Sequence, residues 1–256
     1  MGSYQVAARN FSTAHENKMH TDEVAQKHGF KGALVPGVAI YGHLTHPLVQ
    51  RFGATWLNCS VGAVRLFKPA YHGDQLTITL QEEDAKFVVR CHNQDDTLLA
   101  ELTSTMPEEP PELATPASFD NAPKDPQRVE IAWDSVVVDQ PFNPWQWQVT
   151  SDGNRVMAEQ IADELPLYAD YAHPHWLQSI ANQALSREYI MPAWLHVGSE
   201  MRFRKALLVG DTVTVRAVTL EKWQNKGHEF IKIYVAFERD HDVTTEIVHT
   251  AIFKVA

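Results

Sequence analysis

From Val38 to Phe52 the apolar residues Val38, Ile40, Tyr41, Leu44, Leu48 and Val49 recur at helical spacing, on a stripe broad enough for burial on several sides. The pattern predicts a long buried helix, with Pro47 kinking it or marking its last turn. Ahead of it, Tyr4 to Phe11 alternates loosely, as a first strand would, and Ser12 to Lys18 is polar and turn-like. Thr21 and Asp22 suit the start of a short helix reaching His28, with Val24 and Ala25 facing inward. Gly29, Gly32, Pro36 and Gly37 punctuate the loop that follows. After the long helix the period shortens to two. Val61 to Pro69, Leu76 to Gln81, Phe87 to His92 and Thr97 to Thr105 predict antiparallel strands, with turns at Gly73-Asp74 and Asn93 to Asp96. Residues 107 to 126 are rich in Pro and acidic side chains, lack periodicity, and read as an exposed linker.

The second half repeats the first at one offset, 137, as from Asn17 to Asn154. Lys18 matches Arg155, Val24 Ile161, Ala25 Ala162, Arg65 Arg202 and Lys68 Lys205 in the same register. Gly73-Asp74 matches Gly210-Asp211, and Leu76 and Ile78 match Val213 and Val215. Two copies are too few for a solenoid and imply a fused pseudo-dimer. The expected domains are a first unit over 1–106, a linker over 107–135 and a second unit over 136–256. Each is α+β: a long helix hides its apolar surface only if a curved antiparallel sheet wraps it. Two such sheets joined edge to edge make one continuous sheet with fewer exposed edges.

The chain has 256 residues, 44% of them hydrophobic, ample for a large core. No apolar window is long enough to span a membrane, and MGSYQVAARNF lacks the form of a secretory signal. Cys59 and Cys91, without a CxxC, predict neither a disulfide framework nor a zinc site and fit a reduced cytoplasm. A net charge of -10 argues against general binding to nucleic acid or anionic membrane.

The run N-x-x-H-x-D-x-x-A, carried by Asn17, His20, Asp22 and Ala25 and followed by GFKGALVPG, resembles the motif of MaoC-like (R)-specific enoyl-CoA hydratases. RLFKPAYHGDQLTIT and its echo RFRKALLVGDTVTVR resemble the strand after the central helix of hotdog-fold proteins. HPHWLQSIANQAL resembles a helix of the double-hotdog dehydratases of polyketide synthases. The resemblance implies a double hotdog, an acyl-thioester ligand and no cofactor beyond the CoA of the substrate. Three positions depart from it. His15 stands where the hydratases carry an Asp, Lys18 where they carry Pro, and Gln178 where the polyketide enzymes carry a catalytic Asp.

Hydrating an α,β-unsaturated thioester needs a base for water, an acid for Cα and donors for the enolate oxygen. His20 is the candidate for proton transfer, since imidazole titrates near neutrality. His15 and Glu16 are candidates to orient it or share the water, and Asn17 to hold the water or the thioester. The amides of Gly37 and Val38, at the helix start, are candidates to polarise the carbonyl, with Tyr41 beside them. At the matching positions the second unit has Met157 for His20 and Pro174 for Gly37, so it is expected to wall the acyl tunnel. His173 and His175, near its helix start, and the cations Arg65, Lys68, Arg202, Arg204 and Lys205 are lesser candidates for contact with the ligand. The expected activity is hydration or dehydration of an acyl-CoA or acyl-carrier-protein thioester by a monomer or homodimer. Non-catalytic thioester binding and thioesterase chemistry are the alternatives; the latter needs a carboxylate near the helix, and Val38 to Phe52 has none.

Overall fold

The computed structural model describes residues 3–109, 116, 119 and 127–256, so most of the Pro-rich segment lies outside the described residues. The first unit runs β1 (Tyr4–Ala7), α1 (Asp22–Lys27), α2 (Gly37–Phe52), α3 (Ala54–Asn58), β2 (Ser60–Leu66), β3 (Gln75–Glu83), β4 (Lys86–His92) and β5 (Leu98–Thr105). Short β6 (Val129–Glu130) precedes the second unit: β7 (Trp145–Gln148), α4 (Ser151–Gln160), α5 (Pro174–Glu188), β8 (Tyr189–Ile190), β9 (Leu195–Phe203), β10 (Thr212–Asn225), β11 (His228–Arg239) and β12 (Asp242–Lys254). Ten strands form one antiparallel sheet in the order β1-β3-β4-β5-β2-β9-β12-β11-β10-β7. The units join where β2 pairs with β9, from Ser60↔Phe203 to Arg65↔Gly198. α2 and α5 pack together. Gly42 lets them approach closely: a Cβ there would lie 2.6 Å from Ile161 Cδ1 and 3.0 Å from the His175 Cβ. One apolar core draws on both units, including Leu44, Leu48, Leu102, Ile180, Leu185 and Phe237.

The repeat is visible as repeated hydrogen bonds. Val35 N–H donates to Ala70 O at 2.9 Å, and Ala172 N–H to Leu207 O at 2.8 Å, an offset of 137 on both sides. Asp74 and Asp211 close the same turn, each accepting at Oδ2 from a backbone amide three residues earlier at 2.8 Å. Gly73 and Gly210 take positive φ there, 89° and 100°, which explains a glycine in both copies. Outside this stretch the offset changes. Lys68 N–H pairs with Leu99 O, and Lys205 N–H with Thr244 O, an offset of 145 on the acceptor side. The second hairpin is longer: β10 and β11 have 14 and 12 residues against 9 and 7 in β3 and β4.

α2 runs to Phe52 as the periodicity predicts, with Pro47 inside it rather than in its last turn. One local feature differs from the sequence pattern. Residues 128–135, assigned to the linker, are fastened to the second unit. β6 pairs parallel with β8, Ile131 N–H donates to Ile190 O, and Lys222 Nζ donates to the carbonyls of Trp133 and Val136. No helix among the described residues is long and apolar enough to cross a membrane.

Candidate active site

His20 closes a single 3-10 turn, Lys18–His20, whose first amides are ordered by Asn17: its Oδ1 accepts from Met19 N–H at 3.2 Å. The His20 ring lies 2.8 Å from the Leu34 carbonyl through Nδ1. A carbonyl only accepts, so Nδ1 carries the hydrogen and Nε2 keeps its lone pair. Asn17 Nδ2 approaches that lone pair at 3.4 Å. Burial pushes His20 below its ordinary value; the Leu34 carbonyl opposes this, and nearby His15 adds to it. The ring is therefore neutral near pH 7, and its Nε2 lone pair, met by the Asn17 amide at long range, is the one that can accept a proton.

Gly37 opens α2. No side chain caps that helix start, and the Ala39 and Ile40 amides turn back to the Pro36 carbonyl. The Gly37 and Val38 N–H groups are left as orphan donors at the positive end of the helix. Glycine at 37 lets Leu66 and His196 pack closely on the helix start: a Cβ would lie 2.5 Å from Leu66 Cδ1 and 3.0 Å from His196 Nδ1. His20 and Gly37 line the same cavity, of about 230 Å³. Its apolar wall includes Met19, Leu34, Ile40, Leu66, Leu195 and Ile252. Phe67 and Lys68, both exposed, also line it.

The second unit closes the cavity through Asn182 and the stretch Trp194 to Val197. Asn17 fastens the two units there, donating from Nδ2 to Trp194 O at 3.0 Å and accepting from Trp194 N–H at 3.2 Å. Lys18 N–H donates to Pro192 O at 2.7 Å. Behind His196 lies a polar group of which the sequence motifs mark only Gln178. Ser199 Oγ is 2.6 Å from Gln178 Nε2, 2.9 Å from His196 Nε2 and 3.0 Å from His249 Nδ1. The two imidazoles stack at 4.4 Å. Burial pushes His196 down to about 4 against a smaller pull from the Gly198 backbone, and takes His249 well below its ordinary value. The available signal in the sequence was polar residues at inward strand positions, Ser199 and His249, which break the apolar alternation.

Neither the comparison with family models nor that with curated protein sequences gives a match. Among solved structures, a protein of Mycobacterium tuberculosis described as having a double hotdog fold superposes with a TM-score of 0.61 at 11% identity, covering 98% of this chain and 95% of that one. A MaoC-like dehydratase superposes with a TM-score of 0.60 at 10% identity over 98% and 97%. The chain has the double hotdog fold. An acyl-ACP thioesterase from Bacteroides thetaiotaomicron shares it at a TM-score of 0.51 and 11% identity, over 98% and 97%.

Within this double hotdog the other candidate residues are dispersed. Glu16 does not line the cavity: it is ion-paired with Arg128 at 2.7 Å and accepts from Met191 N–H. The bonds from Arg128 and Met191 outweigh burial and hold its carboxyl below the usual range. His15 is exposed, and its Nδ1 accepts from Asn17 N–H at 3.3 Å, so it does not bond to His20. Tyr41 is fully buried in the core, away from the cavity, and the Val38 side chain is buried likewise. Asp22 braces the Gly-rich turn, accepting from Ala33 N–H at 2.7 Å. In the second unit, His173 caps α5 and shares Asp163 with His46, at 3.2 and 3.0 Å. Burial raises the Asp163 carboxyl, but the two histidine bonds win and hold it well below the carboxylate range. His175 is buried, 0% exposed, and bonds to the Met157 carbonyl.

Proposed function

We propose that this chain adds or removes water across the 2,3 double bond of an acyl thioester, with acyl-CoA as the substrate. The observation that supports it best is that a neutral imidazole, its Nε2 met only by the Asn17 amide at 3.4 Å, and an uncapped helix amide open into one largely apolar cavity. In the hydration direction a water gives a proton to His20 Nε2 as its oxygen attacks C3. The π electrons move through C2 onto the thioester oxygen, where the Gly37 amide and the helix start hold the enolate charge. The imidazolium then delivers its proton to C2 as the carbonyl re-forms, so His20 ends as it began. Dehydration is the reverse. The Leu34 carbonyl does the orienting that a carboxylate does in many His sites, keeping Nε2 as the reactive nitrogen. Lys68 offers a cation to the phosphates of CoA.

Thioester hydrolysis on the same scaffold is the alternative. It has less support, since no carboxylate is among the described residues lining the cavity. The test is a panel of trans-2-enoyl-CoA substrates followed for both 3-hydroxyacyl-CoA and free thiol. Hydroxyacyl product without thiol release is expected. Thiol release alone points to hydrolysis, and tight binding without either product points to a binding protein.

A further inference from the structure

The hydratase reading uses His20 and Gly37 and leaves one polar side chain of their cavity without a task. Asn182 lies in α5, one helical turn after Gln178 and on the same face. The Gln178 amide nitrogen is engaged inside the second unit, 2.6 Å from Ser199 Oγ and 3.1 Å from His249 Nδ1. The Asn17 carboxamide, in the first unit's wall, is engaged by Trp194 and by the turn that carries His20. Asn182 has no such partners. Asn is a poor residue for a helix interior unless its side chain bonds back to the helix or out to a neighbour. Here Oδ1 is buried with no hydrogen-bond partner, and Nδ2 bonds to none of the described residues. The residue is only half-buried, so Nδ2 keeps the accessible surface that Oδ1 lacks, and Asn182 lines the cavity that holds His20 and Gly37. An accessible amide is solvated until a ligand displaces the water. A plain alkyl chain displaces it and returns no hydrogen bond, whereas an oxygen on the chain replaces the bond that was lost. A carboxamide can turn either its nitrogen or its oxygen outward, and a hydroxyl, which both donates and accepts, matches either.

Resting on the hydratase reading, we propose that Asn182 hydrogen-bonds a hydroxyl group on the acyl chain and so selects hydroxyacyl over saturated acyl thioesters. That hydroxyl is the one at C3 that hydration creates or one further along the chain; both present the same chemistry to the amide. Asn182 exchanges no proton, and proton transfer stays with His20. The second unit, which carries Met157 and Pro174 at the positions of His20 and Gly37, then contributes selectivity in place of chemistry.

The test is calorimetric binding of two matched pairs, butyryl-CoA with 3-hydroxybutyryl-CoA and hexanoyl-CoA with 5-hydroxyhexanoyl-CoA, to the full-length protein and to Asn182→Leu. Leucine keeps the size of the side chain and removes both polar ends. Wild type is expected to prefer the hydroxylated member of at least one pair by about 10-fold, the contribution of one hydrogen bond. The pair that shows the preference says which oxygen the amide meets. N182L is expected to lose the preference with affinity for the saturated member unchanged or raised, and its Tm is expected not to fall, because an apolar group replaces an unpartnered polar one. Equal wild-type affinity within both pairs, or a preference that survives in N182L, overturns the proposal. So does a lower Tm in N182L with both members of a pair weakened alike, the result of a merely structural role. The wild-type comparison decides even where the variant fails to fold. Failure of wild type to bind or turn over any CoA thioester removes the hydratase reading itself. Normal turnover of enoyl-CoA with no preference for a hydroxylated ligand removes only the role of Asn182.

Discussion

At the scale of single residues, the account assigns proton transfer to His20 in its neutral form. Burial lowers the folded value of this ring, so the active form persists below the ordinary histidine range. The acid limb of kcat/KM is expected to inflect below about pH 6.5, the unperturbed value; an inflection above it contradicts a buried neutral base. Gly37 carries a steric prediction. Gly37→Ala places a methyl group against Leu66 and His196 at the helix start, and kcat is expected to fall by about 100-fold or more with the fold retained. Unchanged turnover in G37A removes the amide from the mechanism. His20 and Gly37 were legible in the sequence because one short motif holds both. The partners of His20 were not. His15 and Glu16 are its neighbours along the chain, but the turn sends Glu16 to Arg128 and leaves His15 in solvent, and the ring is oriented by a backbone carbonyl. A carbonyl leaves no trace in side-chain identity.

At the scale of elements, the strands, α1, α2 and the duplicated Gly-Asp turn follow from periodicity and turn chemistry. The offset of 137 reported true structural equivalence over the stretch between the helix start and the first hairpin, because the hydrogen bonds there repeat. It failed at the longer second hairpin, where residues were added without disturbing the seam. It also matched Asn17 with Asn154, whose side chains do different work. Asn154 bonds within its own unit, to Tyr168, Tyr171 and His173, whereas Asn17 crosses to Trp194. Asn17 is buried, 4% exposed, so removing its amide leaves both Trp194 backbone groups unpaired. Asn17→Ala is expected to cost about 1–3 kcal/mol by denaturant unfolding. Turnover is expected to fall more than in a variant of equal instability elsewhere, because the His20 turn loses its anchor. An N17A protein with wild-type stability contradicts the latch.

At the scale of the whole molecule, the shared core and the β2–β9 seam make the two units one cooperative body. Calorimetry is expected to show a single unfolding transition; two resolved transitions contradict the common core. Its acid sensitivity follows from the buried histidines. Burial lowers His43 and His196 to about 4 and His175 to about 3 in the folded chain. Unfolded, each titrates near 6.5, so below that pH the unfolded state binds protons that the folded state refuses. Their contribution is complete above about pH 6.5 and is lost as pH falls toward 4, and Tm is expected to drop across that window. The composition gave no hint of this, because burial sets it. The most direct test of the central claim is the rate of trans-2-enoyl-CoA hydration by the wild-type protein and by His20→Ala, measured side by side with their melting temperatures. The account predicts 3-hydroxyacyl-CoA from the wild type, a rate at least about 100-fold lower in H20A, and the same Tm. Equal rates, or no hydration by the wild type at any chain length, contradict it.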